Sequence, residues 1–412
     1  MISEQNIFVG FDIGTPEALP VGLLKIERQG MVESGEFVYG KNYLQSDMAI
    51  AIHPEIFPLR VEPFPIPEKR LRDGGALPLT FQDALPDSWG RKVLEAQFEK
   101  KLTDIETLCA TNEDRVGALM FSQTLPIVVP SMQQSTFLLE EISKATRQLE
   151  LSMEISPEMR RLLQYGGSLG GARPKTTIVH EHQRYLAKFP ALGDDHDVEL
   201  LEKCILDLAQ QCGIEVAPSI LLPVGRGHAL LVERFDRHGL VGGEIKKHYL
   251  SACALMNVPY ESHQGSYLEF ANILRRISVQ PAKDLEQLFF RLVFNLMIDN
   301  TDDHVKNHGV IHVEHGQYRL SPAFDMVMQM TNLGYQELAI LPDKHHSKMS
   351  YALEIAPLLG ISDVQANHVI QNFQNIIPVQ LIKNIQAQGG SDSLLVKVKQ
   401  CLERQHQMIW KQ

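Results

Sequence analysis

The stretch Asn300-Thr301-Asp302-Asp303-His304-Val305-Lys306-Asn307 decides how the chain is read, because Asp302 and Asn307 stand five residues apart. Transfer of a phosphoryl group to a hydroxyl asks for that pair. A carboxylate orients the hydroxyl and accepts its proton, while a neutral amide oxygen helps hold Mg²⁺ without a further negative charge beside the phosphates. Lys306, between them, is a cation within reach of the transferring group. Alone, the octapeptide also fits a polar loop after a helix at 285–298. A calcium loop fails, because its sixth position is His304 rather than Gly and its twelfth is Val310 rather than Glu. Zinc on His304, His308 and His312 has helical spacing, but Gly309 and a β-like continuation interrupt the helix, and no HExxH is present.

Protein kinases place a catalytic Asp five residues before a metal-holding Asn. Asp325, 18 residues after Asn307 and following a short strand, then stands where a second metal-binding carboxylate would. Upstream, Tyr185-Leu186-Ala187-Lys188-Phe189 buries a lysine in an apolar strand, which is costly unless it is paired. Glu199 and Glu202 lie on the next helix, and Glu202 is the preferred partner. Further upstream, Gly166-Gly167-Ser168-Leu169-Gly170-Gly171-Ala172-Arg173-Pro174-Lys175 frees backbone N–H groups to approach phosphates, with Lys175 adding charge. It is no Walker A loop, since Pro174 stands where glycine is required. Leu230 to Arg237 ends a strand where an adenine-binding hinge would lie, with Glu233 and Phe235 available to flank the ring. Each element is weak by itself. Their order along the chain is not an accident of composition.

The whole chain fits that layout. Its 412 residues allow two or three domains with ample core. The 39 Lys and Arg against 50 Asp and Glu leave a formal charge of −11, which argues against nonspecific nucleic-acid binding. No apolar run reaches membrane-span length, and residues 1–6 carry no basic region before an apolar stretch. Five cysteines without a CxxC fit reduced thiols in a cytoplasmic protein. Strands are expected at 7–11 and 21–26. Prolines 54, 58, 63, 65, 67 and 78 forbid a regular helix or central strand there. Asp87 or Ser88 caps a helix over 89–102, and 137–165 is helical again. Strands at 176–179 and 185–189, a helix over 198–212 and a hairpin of 219–223 with 228–235 follow. From about 248 the chain is helical, except for a strand pair near 309–320. The predicted class is α+β: a two-lobed kinase-like fold, with a β-rich N-terminal subdomain at 1–125, a small lobe at 126–240 and a helical lobe at 241–412.

These motifs resemble the HipA family of Ser/Thr kinases, the toxin half of bacterial toxin–antitoxin pairs. The likeness covers nearly the whole chain. Leu85-Pro86-Asp87-Ser88-Trp89-Gly90-Arg91 is similar to the family's LPDxWGR element; residues 167–175, 232–237 and 300–307 are similar to its glycine loop, hinge and catalytic loop. The resemblance implies ATP and Mg²⁺ as cofactors, with Asp302 as catalytic base and Asn307 and Asp325 on the metal. Lys188 would meet the α/β-phosphates, and Glu233 and Phe235 would flank adenine. Ser168 would be an autophosphorylated serine whose modification ejects the glycine loop. A protein substrate, in some members an aminoacyl-tRNA synthetase, is also implied. So is a small HipB-like DNA-binding antitoxin, through which alone DNA would be met.

Two rivals remain. Val9-Gly10-Phe11-Asp12-Ile13-Gly14-Thr15 looks like the first phosphate loop of actin-like sugar kinases, although Pro16 to Pro20 departs from the usual turn and no second glycine loop follows. A catalytically inactive kinase-like binding module is the other, against which the intact Lys188, Asp302, Asn307 and Asp325 speak.

Overall fold

A computed structural model describes residues 2–111, 114–129, 139–151, 153, 173–225, 227–239 and 244–411. Two compact units emerge. One comprises Met1–Arg184, Asp236–Leu250 and Ile311–Gly316; the other comprises Tyr185–Phe235, Ser251–Val310 and Gln317–Gln412.

The first unit is built on an antiparallel sheet of β1 (Ile2–Phe11), β2 (Leu19–Gln29), β3 (Val32–Tyr39), β4 (Phe64–Arg70) and β5 (Leu119–Ser122), in the order β4-β3-β2-β1-β5. Alternation places Ile7, Val9 and Phe11 on the buried face. There they join an aromatic core of Phe37, Tyr39, Phe57, Phe64 and Phe81. β3 and β2 approach so closely that a Cβ on Gly35 would stand 2.0 Å from the Lys25 carbonyl oxygen. The proline-rich stretch supplies β4, with Pro65 and Pro67 on the sheet edge, the place where a missing N–H is tolerated.

The helix α1 (Ser88–Phe98) starts after Asp87 as expected but stops four residues early, because Glu99 takes φ 55°. The next helix, α2 (Asp104–Ala110), then opens on a capping box of Thr103 and Glu106. Trp89 is buried and donates its indole N–H to the Lys175 carbonyl at 2.8 Å. The helix α3 (Leu139–Glu150) covers the described part of the predicted 137–165 segment.

The second unit begins in a strand-helix-hairpin arrangement. Strand β6 (Gln183–Lys188) pairs antiparallel with β8 (Gly227–Glu233), which pairs with β7 (Ser219–Val224). Between them runs α4 (Val198–Gln211). Asp197 caps it by accepting from Leu200 N at 3.0 Å, and Gly213 at φ 83° ends it. The rest is mainly helical: α5 (Tyr267–Ile277), α6 (Pro281–Met297), α7 (Asp363–Ala387) and α8 (Asp392–Gln405). Strands β9 (Gly309–Glu314), of which Ile311–Glu314 belong to the first unit, and β10 (Gln317–Leu320) fall where a strand pair is expected. The core is dense around α6, where Leu288, Phe289, Val293, Phe294 and Leu296 are fully buried. No helix among the described residues is long and apolar enough to cross a membrane.

Candidate active site

Lys188 is the last residue of β6, between the buried Ala187 and Phe189. Its ammonium group is 5% exposed by residue, too deep to remain charged without partners. Two carboxylates meet it. Glu202 Oε1, on the inward face of α4, lies 2.6 Å from Nζ, and Asp325 Oδ1 lies 2.5 Å from it. Burial works to lower the lysine pKa, but the charges of Asp325 and Glu202 outweigh it and raise the value overall.

Asp325 sits at φ 55°, a left-handed conformation that turns the chain sharply after Phe324. The segment before it is pinned: Ala323 N donates to Glu215 O at 2.7 Å, and Ala217 N donates to Ala323 O at 3.1 Å. Phe324 in turn packs on Phe235, with ring centroids 5.4 Å apart. Glu233 ends β8 and donates its backbone N–H to Pro218 O at 2.8 Å.

Helix α6 delivers the other half of the site. After it, Asp299 takes φ 59° and the chain loops through 300–308. Asn307 Nδ2 donates to Asp302 O at 3.1 Å and Asn307 N to His304 O at 2.9 Å, so the aspartate and the asparagine are joined inside one loop. With its amide N–H on that carbonyl, Asn307 has Oδ1 to offer a cation. The Asp302 side chain reaches solvent. Neighbouring atoms still displace part of its hydration and push its carboxyl above the ordinary value. His304 opposes this; Asp325, Glu337 and Asp303 add to it. Lys306 lies with Nζ 5.3 Å from the Tyr260 ring centroid, and the His304 ring meets Tyr260 edge-on at 4.7 Å.

The second unit therefore contains Lys188, Glu202, Glu233, Phe235, Asp302, Lys306, Asn307 and Asp325. Lys175 belongs to the first unit, where it opens a strand with its side chain buried. Ser168, Gly170, Gly171 and Ala172 lie outside the described residues. Asn307 and Asp325 offer hard oxygen donors of the kind Mg²⁺ takes. Among the described residues, no group of three or more His, Cys, Asp or Glu could hold a metal ion. His304 meets Tyr260, His308 meets Asp303 at 2.9 Å, and His312 accepts from Gly316 N at 3.1 Å. Asp12, on which the sugar-kinase alternative turns, is buried against Lys246 at 2.9 Å and accepts from Gly14 N at 3.0 Å.

Sequence reasoning missed the layer beneath the loop. Asp303, His308 and Tyr267 are at most 2% exposed and are bonded to one another. Burial alone would raise the Asp303 pKa. His308 and Tyr267 outweigh it and keep the carboxyl below its ordinary value. The available signal was an apolar environment on both sides, Val305 and 309–311, around residues that otherwise read as polar loop.

Comparison with known proteins bears on the family and the fold. The HipA-like C-terminal domain matches residues 167–380, more than half of the chain, and the HipA N-terminal domain matches residues 17–122. Y4mE of Sinorhizobium fredii, whose name places it among the kinases, is 25% identical over an alignment of 347 positions that covers 77% of this chain and 76% of that protein. The serine/threonine-protein kinase toxin HipA of Shewanella oneidensis is 24% identical over an alignment of 321 positions that covers 71% of this chain and 72% of that one. A solved structure of the S. oneidensis toxin–antitoxin system, HipA and HipB with operator DNA, includes a chain that superposes with a TM-score of 0.68 at 18% identity, covering 98% of both chains. That likeness of fold takes in the expected β-rich N-terminal region and largely helical C-terminal part, and the chain belongs to the HipA family.

Proposed function

We propose that the chain is an ATP-dependent serine/threonine protein kinase of the HipA toxin type. One observation carries the reading: the buried Lys188 between Glu202 and Asp325, in the unit that also holds the Asp302–Asn307 loop. An ammonium fixed by two carboxylates is oriented before nucleotide arrives, so little is lost in ordering it on the α/β-phosphates. Glu233 and Phe235 flank adenine, and Gly170, Gly171, Ala172 and Lys175 are the residues proposed to meet the phosphates. Asn307 and Asp325 would hold Mg²⁺, which would supply charge neutralisation at the phosphate oxygens. Asp302 presents a solvent-reaching carboxylate to a serine or threonine hydroxyl, orients it and takes its proton. Lys306, kept near the Tyr260 face, meets the charge of the transferring phosphoryl group.

Control follows the same reading. Autophosphorylation at Ser168 would place about two negative charges in the glycine loop and silence the enzyme. The S. oneidensis relative was solved with HipB and operator DNA; a small HipB-like antitoxin is the partner proposed for this chain, which meets DNA through it. The substrate is a protein hydroxyl, with a translation enzyme such as an aminoacyl-tRNA synthetase a family-based choice.

The test is Asp302→Gln in the full chain, assayed with labelled ATP and Mg²⁺. Phosphotransfer should fall by about 10²–10⁴-fold with the unfolding midpoint retained. Wild-type turnover in the variant rejects the assignment. Phosphoproteomics after expressing wild type against Asp302→Gln identifies the substrate. Mass spectrometry after ATP incubation should find phosphate on Ser168; modification only elsewhere rejects that switch.

A further inference from the structure

We infer that Asp303 and His308, with Tyr267 beneath them, are a positioning pair that sets the separation of Asp302 and Asn307. The inference rests on the kinase reading of that loop and adds residues that take no part in the chemistry themselves.

Each member of the pair is the chain neighbour of a proposed site residue: Asp303 follows Asp302, and His308 follows Asn307. The two neighbours point into the core and join. Asp303 Oδ1 lies 2.9 Å from His308 Nε2, and both residues are 2% exposed. An ionised carboxylate only accepts, so Nε2 carries the proton. Tyr267 on α5, fully buried, donates its hydroxyl hydrogen to the other oxygen of Asp303. Asn295 Nδ2 supports the Tyr267 hydroxyl at 3.3 Å, and Asn300 Nδ2 donates to Asn295 Oδ1 at 3.1 Å. The Tyr267 ring also meets the His308 ring edge-on, with centroids 5.2 Å apart.

The bonded pair thus closes the six-residue segment 303–308, which carries Asn307 near one end and has Asp302 immediately before the other. Backbone bonds fasten the loop from both sides. Ala252 N donates to His308 O at 2.8 Å, Cys253 N to Val305 O at 3.1 Å, and Leu338 N to Asp303 O at 2.8 Å. Stability alone does not call for this arrangement, since buried polar pairs are commonly replaced by apolar ones at no cost to the fold. Such a pair does fix geometry. A misplacement of about 1 Å between reacting groups can cost about 10²-fold in rate.

The experiment compares full-chain His308→Leu, Asp303→Leu, their double variant, His308→Gln and Tyr267→Phe, each below its unfolding midpoint. Turnover should drop by about 10²-fold in His308→Leu and Asp303→Leu. The Mg²⁺ concentration for half-maximal rate should rise, and Mg²⁺-free ATP affinity should stay at the wild-type level. His308→Gln, whose amide can donate to Asp303, should recover much of the loss. The double variant should be no worse than the poorer single one, because both remove the same bond. Folded His308→Leu with wild-type turnover and Mg²⁺ requirement overturns the inference, as does His308→Gln no better than His308→Leu. If the leucine variants do not fold, the near-isosteric Gln and Phe variants decide it in the same assays. Asp302→Gln separates the two levels. If that variant keeps wild-type phosphotransfer, the kinase reading fails; the pair is still judged by the gain in ATP affinity on adding Mg²⁺, which requires no turnover.

Discussion

Lys246 in the first unit and Lys188 in the second are both buried beside an aspartate, and their environments act in opposite directions. Lys246 Nζ lies 2.9 Å from Asp12 Oδ2, with both side chains at most 7% exposed. Burial lowers its pKa to about 8, helped by the Arg237 guanidinium and opposed by Asp12 and Asp114. Lys188 is as deeply buried, yet Asp325 and Glu202 overcome desolvation and raise its pKa. One of those carboxylates, Asp325, is 37% exposed. Enclosed charge that is neutralised on the spot ties chain segments together. Negative charge gathered round a lysine and left open to solvent on one side is an arrangement for receiving a further cation. The presence of a buried lysine says little; the balance and access of the charge around it say more.

Lys188→Met should break this contrast most severely. It leaves Glu202, 3% exposed, without its cation, and removal of one partner from a buried pair costs about 3–5 kcal/mol. Urea unfolding should show that loss, and ATP binding should vanish with it. A change under about 1 kcal/mol would mean that the pair is solvated after all. Lys246→Met comes next, near the lower end of about 3 kcal/mol, because Asp12 keeps its bond from Gly14 N. ATP affinity of the folded protein should not move. If it does, the first lysine is not the structural one. Asp325→Asn should alter stability by less than about 1 kcal/mol, since its carboxylate is partly solvated and Glu202 still holds Lys188. Its mark should be loss of the Mg²⁺-dependent gain in ATP affinity, measured by titration with and without the metal.

The Lys188 side of this contrast is legible in the amino-acid sequence. A lysine in an apolar strand demands a counter-charge, and the following helix offers Glu199 and the preferred Glu202, of which Glu202 makes the ion pair. Gly213 and Asp197 mark the ends of that helix in the ordinary way. What escapes a sequence reading depends on long-range packing. Asp303 and Tyr267 are 36 residues apart and share no periodicity. Lys246 stands in a run, Ile245-Lys246-Lys247-His248, that reads as exposed until Asp12 is brought to it. Asp12 invites a phosphate-loop reading because a tight Asp-x-Gly turn looks the same whether its carboxylate faces a ligand or a lysine. The early end of α1 escapes because a glutamate, not a glycine, takes the left-handed position.

The smallest expected effect concerns Asp302, and it tests whether the exposed site carries a cost that the enclosed pair does not. Its folded carboxyl titrates above the ordinary value, first because of lost hydration, with His304 working against that and Asp325, Glu337 and Asp303 working with it. A carboxyl raised in the folded state binds its proton more tightly there than in the unfolded chain. Its stabilising contribution is therefore present below the unfolded pKa of about 3.9 and is lost as pH rises through the folded value. Asp302→Asn removes this dependence. The variant and wild type should unfold at similar temperatures near the acid end, and the variant should become the more stable of the two toward neutral pH. Thermal unfolding followed across that range reads the difference directly. A variant less stable than wild type at neutral pH would show that the Asp302 carboxylate is held by favourable contacts in the folded chain, and the reading of a partly dehydrated, waiting base would fall with it.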